Sequence, residues 1–227
     1  MDTGENKKTR YGIVKSRLTA VPALLLAAFA ASSAHGESQY TFETPDDYLA
    51  PAATWTDWQA VLDQHQIERE AIRLCVDDEE SCTKRLKGLR HILIKGADLT
   101  LEQQVKLVNR YINRRRYIDD RVRRSSLAGN KFETLTEFLN GGGDCEDFAI
   151  AKYFVLREFG VPAEDMRVVV GKERRSTDHH AMLAVNGGDK VWMLENDNRI
   201  YRNGNQDMTR FVYAINENGI WDHESED

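Results

Sequence analysis

The chain has 227 residues, a formal net charge of −6, and hydrophobic and charged contents of 41% and 30%. This length allows one domain with a substantial core, and the apolar content is close to that of ordinary globular proteins. Because acidic side chains outnumber basic ones, the composition argues against a nucleic-acid partner.

The first 34 residues have the features of a secretory signal peptide. Five basic residues precede the apolar stretch Leu18–Ala31, and Ser32 to Ala34 supply the small side chains that a signal peptidase requires. An uncleaved N-terminal anchor is the alternative, although the stretch is shorter than the ~20 apolar residues of a spanning helix. Cleavage near Ala34 would leave residues 35–227 as one mature domain, with 26 basic and 35 acidic side chains and a formal charge of −9.

The stretch that follows this leader has helical periodicity up to a run of glycines at 141–143. Thr100 with Gln103 has the pattern of a capping box, and Glu137 lies three residues after Thr134 at a second helix start. The predicted helices run from Thr54–Trp58 to about Glu70, around Leu86 to Ile92, from Thr100 to about Tyr117, and from near Thr134 to the glycines.

Two arginine runs, Arg114–Arg116 and Arg121–Arg124, lie in this helical part of the chain. A specific anionic ligand is one interpretation. Charge runs are more often solvated surfaces, and the acidic balance of the mature chain favours that second interpretation.

Cys75 and Cys82 flank a short acidic loop. In an oxidising compartment, two cysteines this close in sequence are expected to form a disulfide. Two reduced cysteines are the alternative, because connectivity is not determined by sequence alone. The bridge would leave Cys145 as the odd thiol.

The glycine run at 141–143 leads into Cys145 and a helical pattern that ends at Gly160. Cys145 is therefore predicted at a helix N-terminus, where unpaired N–H groups and the positive end of the macrodipole favour the nucleophilic thiolate. A small buried cysteine at the start of a core helix is the alternative. An odd thiol at such a junction in an exported protein favours a reactive role.

Beyond Gly160 the pattern changes from helical to strand-like. Short segments rich in β-branched or aromatic residues occur at 166–171, 180–185, 190–195 and 210–215, and turn residues separate them. The predicted fold class is therefore α+β, with N-terminal helices and the cysteine helix packed on an antiparallel sheet.

The second and third of these strands bring a histidine towards two carboxylates. If Gly187 and Gly188 are the central residues of a tight hairpin turn, His180 lies directly opposite Glu195. Opposed residues have Cβ atoms roughly 5 Å apart, so Glu195 would hold one ring nitrogen and leave the other for the thiol. Asp197 is the rival partner, on the same face with a diagonal reach of ~7–8 Å. A half-buried histidine with satisfied hydrogen bonds is the alternative.

Asp144, Glu146 and Asp147 surround the cysteine in the sequence. Each negative charge raises the pKa of the thiol, and a bound cation would reverse that effect. Carboxylate oxygens favour Ca²⁺, with backbone carbonyls or waters completing its 6–8 ligands. The alternative is that these acids only complement the helix N-terminus, at ~0.3–1 kcal/mol each.

These residues together predict nucleophilic catalysis. Cys145 would attack a peptide carbonyl, N–H groups at the helix start would stabilise the oxyanion, and His180 would take and return the proton. Three functions are compatible with this chemistry: a peptidase that acts on a cell-surface protein, an acyl transferase that passes the thioester to a lysine amine, and a binding module with little turnover.

Several motifs resemble the bacterial transglutaminase-like cysteine proteinases. They are Gly143–Asp147 followed by Ala149–Tyr153, His180–Leu183, Leu194–Asn196, and Ile215–Asn216 with Gly219–Trp221. The resemblance covers most of the mature chain. It implies a papain-like, transglutaminase-like fold, a Cys-His-Asp triad, and calcium bound by the acidic residues that flank the cysteine.

Within that family the sequence most resembles periplasmic proteases that cut large biofilm adhesins near their N-termini, after paired alanines. The resemblance implies a periplasmic location, release of the adhesin with biofilm detachment, and control by an inner-membrane receptor that senses cyclic di-GMP and sequesters the protease. We expect a monomer or a weak dimer.

The sequence departs from the family pattern at the third triad position. The family has Asp-Asn where this chain has Glu195-Asn196, and glutamate is longer by one methylene group. Either Glu195 substitutes for the aspartate, as glutamate does in some Ser-His triads, or the role has passed to Asp197, which precedes Asn198.

Overall fold

The computed structural model describes residues 38–42, 48–119, 132–174, 178–205 and 207–223. The predicted signal peptide and the run Arg121–Arg124 lie outside these residues, and both stay predictions. In the part of the chain that is described, none of the helices combines the length and apolarity that crossing a membrane requires.

The described residues form α-helices first and a β-sheet afterwards. The helices are α1 (Thr56–Asp77), α2 (Lys87–Gly96), α3 (Leu101–Ile112), α4 (Leu135–Gly141) and α5 (Cys145–Glu158). The strands are β1 (Ser38–Gln39), β2 (Tyr48–Ala50), β3 (Met166–Glu173), β4 (His179–Asn186), β5 (Val191–Leu194), β6 (Ile200–Arg202), β7 (Gly204–Asn205), β8 (Met208–Ile215) and β9 (Ile220–Asp222). This arrangement confirms the predicted α+β class.

Helix α1 is longer than its sequence pattern predicted. It continues past Glu70 because Ile72 and Cys75 extend the buried face of the helix by another turn. Cys75 in that last turn forms a disulfide with Cys82, as predicted. Cys145 is therefore the free cysteine of the chain.

Helix α3 is shorter than predicted and ends at Ile112 instead of near Tyr117. The residues that follow pair with the glycine run: the N–H of Gly143 donates to the carbonyl of Arg116, and the N–H of Ile118 donates to the carbonyl of Gly143. A tertiary contact therefore replaces the last helical turn.

The main sheet has seven strands in the order β2-β9-β8-β3-β4-β5-β6, and each neighbouring pair is antiparallel. Its central strands β3 and β4 are buried on both faces. Val168 and Leu183 face the main core with the helices, whereas Val169 and Met182 join a second cluster on the opposite face. Strand β7 pairs with β1 in a separate two-stranded sheet.

Helix α5 is buried along most of its length. Every residue from Asp147 to Leu156 is buried, including Lys152. The helix packs on β3 and β4 along one side and against α3 and α4 along the other. Its first residue, Cys145, is thereby held against the sheet by the whole length of a core helix.

The hairpin between β4 and β5 has a different register from the predicted one. Asn186 pairs with Val191, so the loop has four residues and the predicted two-residue turn at Gly187 and Gly188 is wrong. The physical reason is local hydrogen bonding: the Asn186 side chain accepts from the N–H of Gly188 at 2.9 Å, and the N–H of Gly187 donates to the carbonyl of Lys190 at 2.8 Å.

This shift changes which residue lies across from His180. Strand β5 ends at Leu194. If pairing continued in the observed register, Asp197 and not Glu195 would lie opposite His180. Pairing stops instead, because the N–H of Glu195 donates to the carbonyl of Arg199 at 3.1 Å and closes a turn.

Candidate active site

A glycine loop joins α4 to the start of α5. Gly142 has a φ of +78°, and a Cβ there would collide with the carbonyl oxygen of Arg116. A Cβ at Gly143 would collide with the carboxylate of Asp147. Only glycine tolerates both positions, so these two residues determine how the chain enters the helix that carries Cys145.

The first turn of α5 is closed by Asp147, which is buried. Its Oδ1 accepts from the N–H of Glu133 at 2.8 Å, and its Oδ2 accepts from the N–H of Asp144 at 3.2 Å. The second bond belongs to a capping box between Asp144 and Asp147. Both oxygens of Asp147 thus hold the backbone around the thiol in place.

Cys145 is the first residue of α5 and is 9% exposed. Its Sγ donates to Oε2 of Glu146 at 2.8 Å, and the backbone N–H of Ala181 in β4 donates to the sulfur. Burial raises the pKa of the thiol, the charges of Glu146 and Asp144 raise it further, and the bond from Ala181 lowers it. Overall the pKa of the thiol is raised, so burial and the acidic neighbours oppose the thiolate at this position.

His180 precedes Ala181, so the strand that contacts the sulfur also carries the imidazole. Its Nε2 lies 2.7 Å from Oε2 of Glu195. An ionised carboxylate can only accept, so Nε2 carries the proton in this pair and Nδ1 keeps its lone pair. Burial lowers the pKa of His180, but the hydrogen bond and the charge of Glu195 outweigh burial, and the pKa is raised overall.

Glu195 is 3% exposed, and hydrogen bonds hold both its backbone carbonyl and its carboxylate. Its backbone carbonyl accepts from Nδ2 of Asn113 and from Nζ of Lys152, each at 2.7 Å. Its Oε1 accepts from Nδ2 of Asn205 at 2.6 Å, while Oε2 faces His180. The extra methylene of glutamate thus places the carboxylate against the imidazole although the two residues are not directly opposed.

Asp197 lies in the turn that follows β5 and points to solvent. Its Oδ1 accepts from the N–H of Arg199 at 3.0 Å and its Oδ2 accepts from Nε of Arg199 at 2.6 Å, with a side chain that is 45% exposed. The structure therefore brings His180 together with Glu195 and leaves Asp197 in a turn with Arg199.

Two tyrosines border the thiol. Tyr117 stacks on Phe148 and is 52% exposed; burial first, and then the charges of Cys145 and the nearby carboxylates, raise its pKa to about 12. Tyr213 packs against Cys145 from β8, and burial with the charges of Glu146 and Cys145 raises its pKa to about 12. Tyr213 therefore covers one side of the thiol, and both tyrosines lie in a negatively charged environment.

The predicted metal ligands divide into two groups. Asp147 uses both carboxylate oxygens for backbone N–H groups. Asp144 and Glu146 are partly exposed, and the charges of both raise the pKa of the thiol. Over the described ranges, no group of three or more His, Cys, Asp or Glu is placed to hold a metal ion. The donor chemistry of Asp144 and Glu146, two hard carboxylates, nevertheless fits Ca²⁺.

Sequence reasoning missed the residues that hold Glu195. Asn113 and Asn205 have no local pattern that distinguishes them from surface asparagines. Lys152 had a signal, because it is a charged residue in an otherwise apolar stretch of α5, and the structure buries it completely. Such a residue is rarely fully buried without a specific partner.

The family model of the bacterial transglutaminase-like cysteine proteinases matches residues 66–221, which is more than half of the chain. The chain belongs to that family. The matched part contains Cys145, His180, Glu195 and Asn205. A search of the curated proteins found no match.

Solved structures of LapG from Legionella pneumophila share the fold of this transglutaminase-like cysteine proteinase. One has 24% sequence identity and a TM-score of 0.57 over 70% of this chain and 90% of that chain. The calcium-bound form has 25% sequence identity and a TM-score of 0.56, over 67% of this chain and 86% of that chain. The EGTA-treated form has 24% sequence identity and a TM-score of 0.58, over 69% of this chain and 86% of that chain. These matches confirm the predicted papain-like, transglutaminase-like fold.

Proposed function

We propose that this protein is a calcium-dependent cysteine endopeptidase in which Cys145 is the nucleophile, His180 the general base and Glu195 the group that orients the base. One observation carries the proposal: a free thiol at the start of a core helix contacts the strand of a histidine whose Nε2 is bound by a buried carboxylate. Membership of a cysteine proteinase family supports the same chemistry.

The proton transfers follow from the bonds of His180. Because Glu195 occupies Nε2, Nδ1 is the nitrogen that takes the thiol proton and later returns it to the leaving amine. The raised pKa of His180 favours the imidazolium once it forms. The first N–H groups of α5, which lack intrahelical partners, would stabilise the oxyanion.

We propose that Ca²⁺ is held by Asp144 and Glu146, with backbone carbonyls and waters as further ligands. When bound it supplies positive charge that offsets the acidic side chains facing the thiol. The solved LapG structures include a calcium-bound and an EGTA-treated form, which supports a calcium site in this fold. Asp147 stays a predicted ligand, although its two backbone bonds favour a supporting role.

We propose that the substrate is the N-terminal region of a large cell-surface adhesin, cut after paired alanines in the periplasm so that the adhesin is released and the biofilm detaches. An inner-membrane receptor for cyclic di-GMP would sequester the protease. The signal-peptide pattern of residues 1–34 and the family motifs around Cys145, His180 and Glu195 support this proposal.

The test is cleavage of a purified adhesin fragment. An N-terminal fragment that contains a paired alanine is incubated with the protein in Ca²⁺ or in EGTA, and the products are identified by mass spectrometry. We expect two fragments in Ca²⁺, none in EGTA, and none when the alanine pair is replaced by leucines.

Cys145→Ala and His180→Ala are the matched variants for this experiment. Both should retain the wild-type melting temperature within a few degrees and lose turnover. Clear residual cleavage by purified Cys145→Ala would contradict the assignment of the nucleophile. A product in which the fragment is joined to a lysine amine, without hydrolysis, would identify an acyl transferase instead.

A further inference from the structure

Asn205 lies beside the carboxylate of Glu195 and is 1% exposed. Its Oδ1 accepts from the N–H of Asp207 at 2.9 Å. Its Nδ2 donates to Oε1 of Glu195 at 2.6 Å and contacts Sδ of Met182 at 3.9 Å. Because a backbone N–H can only donate, Asp207 determines which end of the Asn205 amide faces Glu195.

The bond from Asn205 fixes the orientation of the carboxylate that faces the imidazole. The amide N–H of Asn205 takes Oε1 of Glu195, which leaves Oε2 for His180 at 2.7 Å. The carboxylate accepts on both sides, so the neutral ring must carry its proton on Nε2. A fixed chain of donors and acceptors thus runs from a backbone amide to the imidazole.

The geometry points to Asn205 as the positioning residue that orients the Glu195 carboxylate and thereby keeps the His180 proton on Nε2. The inference rests on the proposed function, because the tautomer matters only if His180 is the base. Asn113 and Lys152 cannot perform this task, since they bind the backbone carbonyl and leave the carboxylate free to rotate. Glutamate has one more rotatable bond than the family's aspartate, and a second anchor removes that freedom.

A reciprocal substitution separates this role from a structural one. In Glu195→Gln, the amide of Asn205 binds the glutamine oxygen, so the glutamine NH₂ faces His180 and drives the ring proton to Nδ1. Adding Asn205→Asp reverses the polarity, because the new carboxylate accepts from that NH₂ and turns the glutamine oxygen towards Nε2. The same carboxylate still accepts from the N–H of Asp207.

The experiment uses the full protein with Ca²⁺ and two readouts. The ¹⁵N chemical shifts of labelled histidine give the tautomer of His180, and iodoacetamide alkylation at fixed pH gives the reactivity of Cys145. Relative to wild type, Glu195→Gln should move the proton to Nδ1 and slow alkylation on the order of 100-fold, the loss expected when a charged, buried hydrogen bond is removed. The double variant Glu195→Gln, Asn205→Asp should restore the Nε2 tautomer and should be alkylated at least about tenfold faster than Glu195→Gln.

Asn218→Asp provides the matched control, because Asn218 is an exposed asparagine in the turn between β8 and β9. Combined with Glu195→Gln, it adds the same charge without reaching the site and should give no recovery. A double variant with Asn205→Asp that stays as slow as Glu195→Gln, with the proton on Nδ1, would overturn the inference.

The outcomes also separate this inference from the proposed function. A wild-type thiol that alkylates no faster than free cysteine would overturn the proposed function, and the histidine shifts would still decide the role of Asn205. Asn205→Ala should slow alkylation by about tenfold, the scale for loss of an outer hydrogen-bond partner. If Asn205→Ala fails to fold, the role of Asn205 is decided by comparing Glu195→Gln with the double variant Glu195→Gln, Asn205→Asp, because aspartate has the same shape as asparagine.

Discussion

Replacing Glu195 by glutamine should remove most of the reactivity of Cys145, whereas replacing Asp197 by asparagine should not. Both substitutions change a carboxylate to an amide of the same shape. They differ in the partner that is lost: Glu195 is buried and binds Nε2 of His180 at 2.7 Å, while Asp197 is exposed and binds Arg199.

The expected magnitudes follow from these environments. A neutral amide stabilises the imidazolium far less and favours the wrong tautomer, and the equivalent change in a serine-protease triad costs on the order of 10⁴ in turnover. We therefore expect Glu195→Gln to slow alkylation of Cys145 on the order of 100-fold and to lower turnover of the adhesin fragment by up to on the order of 10⁴-fold. An exposed ion pair such as Asp197 with Arg199 contributes about 0–1 kcal/mol, so Asp197→Asn should stay within about fivefold of wild type.

The assay is the second-order rate of iodoacetamide alkylation with Ca²⁺ present, followed by mass spectrometry of the Cys145 peptide, together with cleavage of the adhesin fragment. Melting temperatures of both variants control for folding. If Asp197→Asn lost more reactivity than Glu195→Gln, the carboxylate in the turn would be the orienting group and the bond between Glu195 and His180 would be only structural.

Further predictions concern the metal, the buried lysine and the third triad position. Chelation should slow alkylation of the thiol and lower the melting temperature, with recovery in Ca²⁺ but not Mg²⁺; calorimetric titration of an Asp144→Asn, Glu146→Gln variant should show lost affinity, and unchanged affinity would place the ion elsewhere. Burial lowers the pKa of Lys152 from 10.5 to about 7, so the unfolded chain binds more protons within that window. The stability of wild type relative to Lys152→Met should therefore rise with pH from 7 to 10.5, by up to roughly 5 kcal/mol, and stay level below pH 7; a difference that is flat in urea titrations would contradict this. Glu195→Asp restores the residue of the family but withdraws the carboxylate by about 1.5 Å from His180, so alkylation should slow, and a rate at or above wild type would refute the argument from reach.

Local signals in the sequence predicted much of the fold. The capping box at Thr100 and the glycine run before Cys145 place helix starts through contacts within a few residues, and the structure has both. The disulfide between Cys75 and Cys82 was predictable for the same reason, because its partners are close in the chain. The sequence therefore predicted correctly those features whose contacts join residues close together in the chain.

The register of the β4–β5 hairpin depended on contacts that sequence patterns do not contain. Asn186 lengthens the loop through its side chain, and the ring of Trp192 packs so closely on Gly187 that a Cβ there would collide with it. The expected partner of His180 was Glu195, but the predicted direct opposition was wrong, because Glu195 reaches the ring from outside the paired strand. Asn205 could not be found, since its contact with Glu195 depends on how β7, which pairs with β1, packs beside β5.

Negative charge around the thiol opposes its ionisation. A carboxylate near a thiolate is unfavourable by about 4 kcal/mol at 4 Å and an effective dielectric constant of 20, and Glu146 is closer than that, at 2.8 Å. The helix N-terminus offers only about 0.3–1 kcal/mol in return. The macrodipole alone therefore cannot ionise Cys145 while Glu146 is charged and facing it. In the proposed mechanism Asp144 and Glu146 would hold the cation, and its positive charge would offset theirs beside the sulfur. The residues that oppose ionisation of the thiol would then make its reactivity depend on Ca²⁺.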